Sequence, residues 1–96
     1  MPLDAIVVNK NDNVATAVRP LDNGQSVHVD TAGGAVDVVL LKAIPFGHKF
    51  ALRDIKRDER IIKYGEEVGQ ANTDINQGDH VHVHNVDGLR GRGDKA

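Results

Sequence analysis

Short apolar stretches, each ended within a few residues by glycine, asparagine or aspartate, recur from one end of the chain to the other. Spacing of this kind leaves no room for a helix long enough to bury a face, and it is the pattern of strands joined by tight turns. Strands are expected over 5–8, 14–18, 25–29, 36–41, 48–52 and 60–64, briefly near Val68, and over 80–86. The 14–18 stretch could instead open a helix capped by Asp12 or Asn13, but Pro20 would hold it under two turns, so a strand is preferred. The fold class that follows is all-β.

A repeated turn pattern supports the same class. In Leu21-Asp22-Asn23-Gly24-Gln25-Ser26-Val27, Ile55-Lys56-Arg57-Asp58-Glu59-Arg60-Ile61 and Ile75-Asn76-Gln77-Gly78-Asp79-His80-Val81, an apolar residue precedes a polar turn and another follows it. The fourth position is Gly or Asp each time, the residue types that best tolerate a left-handed backbone. Reuse of a good turn explains the pattern more simply than a duplication.

Apolar residues make up 40% of the 96 positions while aromatics make up 3%, so the core must be built from Val, Ile, Leu and Ala. A chain this short forms one small core and gains from a partner. The net charge is −2, with lysines and arginines scattered rather than gathered into a stripe, which argues against nucleic acid. Without cysteine there is no thiolate ligand, thiol nucleophile or disulfide. Met1-Pro2-Leu3-Asp4 does not open like a leader, and no apolar run approaches the roughly 18 residues of a membrane span, so no membrane partner and a cytoplasmic location are expected.

The strongest local feature is His80-Val81-His82-Val83-His84-Asn85. On a continuous strand its alternation sends three imidazoles to one face and two valines to the other. A His-x-His pair so placed can hold zinc, manganese or iron(II), or can simply occupy a solvated face; His80, beside the turn, is the expected bystander, and His28 a surface residue. In Ile44-Pro45-Phe46-Gly47-His48-Lys49-Phe50-Ala51-Leu52, a rigid proline and a permissive glycine precede His48, a candidate ligand or proton carrier, and Lys49, a candidate carboxylate contact. On a strand these two point to opposite sides unless a bulge intervenes. Lys63-Tyr64-Gly65-Glu66 and Asn11-Asp12-Asn13 read chiefly as turns.

Taken in order, Asp12-Asn13-Val14-Ala15-Thr16-Ala17, Ile44 to Leu52, Ile62-Lys63-Tyr64-Gly65-Glu66 and His80 to Asn85 resemble the SAF domain of altronate and galactarate dehydratases. The resemblance implies a β-clip fold of bent hairpins over 1–86, with 87–96 a flexible Gly/Arg-rich tail or a linker into a large domain. It also implies a small subunit, or an excised domain, of a hydro-lyase that removes water from sugar acids, inactive without a large catalytic subunit. Iron(II) or manganese is the implied cofactor, and a homo-oligomer remains open. On this basis His48 is expected to be catalytic, Lys49, Lys63 and Asn85 to bind substrate, and His82 and His84 to hold the metal. A sulfolactate sulfo-lyase-like small subunit and a binding module without catalysis are the alternatives.

Overall fold

The computed structural model describes residues 3–31 and 34–89. Its regular elements are nine strands: β1 (Ala5–Ile6), β2 (Val14–Ala17), β3 (Ser26–Thr31), β4 (Gly34–Val39), β5 (Lys49–Ala51), β6 (Arg60–Lys63), β7 (Glu66–Ala71), β8 (His80–Val81) and β9 (Val86–Asp87). They form three antiparallel sheets, ordered β1-β2-β5-β8, β3-β4 and β6-β7-β9. This is the all-β arrangement of short hairpins that the β-clip resemblance implied. The expected strand over 80–86 is broken, however, and the one near Val68 is longer than its sequence suggested.

The turn pattern occurs four times rather than three, because Ile44 to Phe50 adopts it as well. Gly24, Gly47, Asp58 and Gly78 all have φ between 74° and 89°. Each donates its N–H to a carbonyl four residues before another copy: Gly24 to Leu40, Gly47 to Ala17, Asp58 to Ala71 and Gly78 to Ala51, at 2.8–2.9 Å. The copies therefore pair. Leu21 and Ile44 exchange backbone hydrogen bonds at 2.9 Å, and Ile55 and Ile75 do so at 2.7 Å.

One core surrounds each pair. Leu21, Ile44, Val27, Val29, Val38, Leu40 and Phe50 define the first, and Ile55, Ile75, Ile61, Ala71 and Val81 the second. Strands β2 and β5 serve both, since alternation sends Ala15, Ala17 and Phe50 into the first core and Val14 and Ala51 into the second. Asn13, fully buried, fastens the β6 hairpin here: its carboxamide donates to the Arg60 carbonyl and accepts from the Ile62 N–H, both at 2.8 Å. With Asp12 accepting from the N–H of Gly65 at 2.7 Å, Asn11-Asp12-Asn13 is a structural turn.

The β6–β7 hairpin closes on Tyr64 and Gly65, both at positive φ, as a two-residue turn requires. Farther along, Ile61 pairs with Gly69 and Ile62 with Glu67, so Val68 bulges out of the ladder. Gly69 lets β9 lie against β7, because a side chain there would meet Val86.

Two equivalent glycines separate backbone strain from crowding. Gly24 has open space where a Cβ would stand, whereas at Gly78 a Cβ would strike the Val39 carbonyl oxygen. We expect Gly24→Ala to cost about 1 kcal/mol from the left-handed backbone alone, and Gly78→Ala about 3 kcal/mol or more, as read by urea unfolding. Equal losses would contradict the crowding at Gly78.

Candidate functional site

The histidines are brought together by the pairing of two turns with two short strands. Closure of the Pro45–His48 turn, with the His48 N–H donating to the Pro45 carbonyl at 3.0 Å, leaves His48 just ahead of β5. Strand β8 then lies against β5 with His80 opposite Phe50 and Val81 opposite Lys49. In this register Nδ1 of His48 stands 2.9 Å from Nε2 of His80.

After Val81 the chain turns. Asn85 is buried and its carboxamide accepts from the His82 N–H at 2.9 Å and donates to the His80 carbonyl at 2.8 Å, while its own N–H reaches the His82 carbonyl. The turn folds the His82 ring over His48, with centroids 4.3 Å apart and planes within 18°. One nitrogen from each of His48, His80 and His82 lies within 4.8 Å of the other two. His84 stays exposed, its ring tilted 33° to that of His80 at 5.3 Å.

This arrangement corrects the expected continuous strand over 80–86. Val81 is fully buried but Val83 is 79% exposed, so the two valines do not share a face. The reason is Asn85, whose carboxamide satisfies the backbone of a turn and so helps to build the site, a task that its expected part in substrate binding did not include. His82 gathers with His48 and His80 instead of with His84 alone, and His80, expected to be the bystander, stands between His48 and His84. The repeat itself carried a signal for His80: it holds the sixth position of its turn, as Lys49 does in the Ile44 copy.

Lys49 and His82 line a half-open cavity of about 260 Å³ whose other walls are Val68, Val83, Val86 and Gly88. No carboxylate is among these lining residues. Burial pushes the Lys49 ammonium below its ordinary pKa, and the positive charge of Lys63 pushes it further the same way. Lys63 is not on the cavity wall; its Nζ stands 4.9 Å from the centre of the Tyr64 ring. Histidine 28 belongs elsewhere, on the exposed face of the β3–β4 hairpin between Asp37 and Asp30.

Burial is also the first cause of the depressed pKa of His80, pushed down to about 4, with His48, His84, His82 and Lys49 adding positive charge around it. His82 is lowered for the same kind of reason: burial first, then His48, Lys49 and His84. At neutral pH these rings are therefore uncharged, and each offers a lone pair for a proton or a cation.

Short β-hairpins wrapped on two small cores, with an imidazole cluster beside a cationic, acid-free cavity, define a β-clip domain built to present nitrogen bases at its rim. The chain belongs to the altronate/galactarate dehydratase SAF domain family, which it matches over residues 3–89. It is 40% identical over 81 residues to altronate dehydratase of Bacillus subtilis, covering 84% of this chain and 16% of that protein. Against (2R)-sulfolactate sulfo-lyase subunit alpha of Chromohalobacter salexigens it is 38% identical over 89 residues, 90% of this chain and 95% of that subunit. Altronate dehydratase of Escherichia coli is 44% identical over 81 residues, again 16% of its length. The chain thus spans about one sixth of the dehydratases it matches and nearly all of the sulfo-lyase subunit. Residues 90–96, which hold most of the expected tail, lie outside the described residues, and no helix among those described is long and apolar enough to cross a membrane.

The depressed His80 pKa has a defined consequence for stability. Below an unfolded value of 6.5 the unfolded chain takes up a proton that folded His80 refuses until about pH 4, so stability falls as pH drops through that window. In chelator-treated protein the His80 ring resonances should titrate near pH 4, and His80→Gln should flatten the pH slope of the urea midpoint. Titration of His80 near 6.5 would remove this account.

Proposed function

We propose that this chain is the SAF component of a lyase acting on a hydroxylated organic acid, contributing bases and cations to an active site that a larger polypeptide completes. The observation that carries this reading is the meeting of His48, His80 and His82 beside the Lys49 cavity, within a domain whose relatives are named as dehydratases and as a sulfo-lyase subunit. Elimination next to a carboxylate removes a carbon-bound proton and expels hydroxide or sulfite, which needs a base and a means to stabilise negative charge.

The residues divide those tasks. The His48 ring, held by its hydrogen bond to His80, is placed to carry a proton or to serve as a metal ligand. Lys49 faces a cavity free of lining carboxylates and suits the carboxylate or sulfonate of the substrate, with Lys63 adding to the positive field. A divalent metal, iron(II) or manganese in the dehydratase reading, would polarise the substrate's carboxylate and hydroxyl oxygens. The three imidazoles of His48, His80 and His82 fit such an ion in the chemistry of their donors.

The leading reading is loss of water from a sugar acid of the altronate or galactarate type, favoured by the family match over residues 3–89. Cleavage of a carbon–sulfur bond is the second, favoured by similarity over 95% of a sulfo-lyase subunit.

The test is turnover of altronate, galactarate and (2R)-sulfolactate by the chain alone and by the chain combined with a large dehydratase or sulfo-lyase polypeptide from the same genome. Activity is expected only in the combination, and the substrate turned over selects between the two readings. His48→Ala should lower kcat about 10²- to 10⁴-fold, as for loss of a proton-transfer group, and Lys49→Gln should act mainly by raising KM. Full activity of the His48→Ala combination would overturn the assignment.

A further inference from the structure

The histidines of this chain are not disposed like ordinary surface histidines. His28 shows the ordinary case, with carboxylate oxygens of Asp37 and Asp30 at 2.8 and 3.3 Å from its two ring nitrogens. At His80 and His82 the groups that act on the ring are all bases: His48, His84 and Lys49. Gathering imidazoles against a lysine, with no acid among the described groups that act on His80 and His82, adds little to folding stability, because each ring crowds its neighbours with like charge whenever it is protonated.

The same gathering suits a cation. Around a divalent metal with nitrogen ligands at about 2.1 Å, neighbouring donor atoms stand about 3.0 to 3.4 Å apart. His48 Nδ1 and His80 Nε2 are already at 2.9 Å, and the nearest nitrogen of His82 lies within 4.8 Å of both. The His82 ring, stacked on His48 and half-buried, would close that gap by rotating about its side-chain bonds. Its backbone meanwhile stays fixed by Asn85. His84 is exposed and outside the converging set.

We infer that His48, His80 and His82 form a three-nitrogen metal site within this chain, with His84 outside it and the open coordination positions left for oxygen ligands. An all-imidazole set on the protein side favours zinc, cobalt(II) and iron(II) over manganese, and over magnesium and calcium still more strongly. The site rests on this chain's own geometry, so it stands or falls separately from the lyase reading.

The test uses the untagged full chain, stripped with chelator, and cobalt(II) as the probe. One equivalent should bind, with visible absorption bands, and titration with diamagnetic zinc should move the ring resonances of His48, His80 and His82 far more than those of His84. His48→Gln, His80→Gln and His82→Gln should each weaken cobalt(II) at least about tenfold, whereas His84→Gln should change it less than about twofold. Zinc should displace cobalt(II); manganese should bind at least about tenfold more weakly. Circular dichroism checks that each variant is folded, and the resonances of the unsubstituted chain identify the ligands even where a variant is not. Absence of stoichiometric binding, or a His84→Gln loss as large as that of His82→Gln, overturns the proposal. Cobalt(II) binding with no turnover in any combination upholds the site while removing the lyase reading.

Discussion

Four backbone N–H groups, at Gly24, Gly47, Asp58 and Gly78, decide how this chain closes on itself. Each comes from a left-handed residue: those of Gly24 and Asp58 extend the β3–β4 and β6–β7 ladders to the Leu40 and Ala71 carbonyls, while those of Gly47 and Gly78 reach the Ala17 and Ala51 carbonyls on β2 and β5. Buried backbone groups must find partners, and here each partner lies four residues ahead of another copy of the turn, which brings the copies together in pairs. The crossings at Leu21–Ile44 and Ile55–Ile75 follow, and around each of them branched aliphatic side chains pack a core small enough to need almost no aromatic residue. Phe50 is the exception, buried where the first core meets β8.

The site is a by-product of that closure. Because Gly78 bonds to Ala51, the chain leaving its turn must run against β5, and the first residue it lays down there is His80. Because Gly47 bonds to Ala17, the residue entering β5 is His48. Two residues 32 apart in sequence thus meet through backbone contacts alone, before any attraction between imidazoles matters. Only His82 needs a further device, and Asn85 supplies it.

Much of this was legible in the sequence. Short apolar runs with glycine, asparagine and aspartate between them gave the strands, and the motifs from Asp12 to Asn85 gave the family, because both are local signals. Three of the four turns were readable from Gly24, Asp58 and Gly78; Ile44 to Phe50 was not read as the fourth because Pro45 and Phe46 lack the polar character of the other copies. The errors cluster at His80 to Asn85, where alternation suggested a strand. Asparagine competes for backbone hydrogen bonds, and a buried carboxamide that satisfies both His80 and His82 outweighs two residues of ladder. Whether Asn85 would turn inward depended on the neighbours that β5 and β7 provide, and that information is not local.

The openness of the cavity sets the terms on which the site can work. Val83 is 79% exposed and Val68 45%, although both stand beside partly desolvated nitrogen bases. Apolar walls lower the local dielectric on one side only, so the Lys49 and His82 shifts reflect half of an enclosure. A larger polypeptide closing the other side would remove water from the imidazoles, bury the two valines, and strengthen the interaction between Lys49 and a negatively charged substrate. It would also raise the cost of protonating His80, which favours the uncharged ring that a base or a metal ligand requires. On the proposed lyase reading, therefore, the exposed valines and the cavity open to solvent are the surfaces that a larger polypeptide would cover in completing the site.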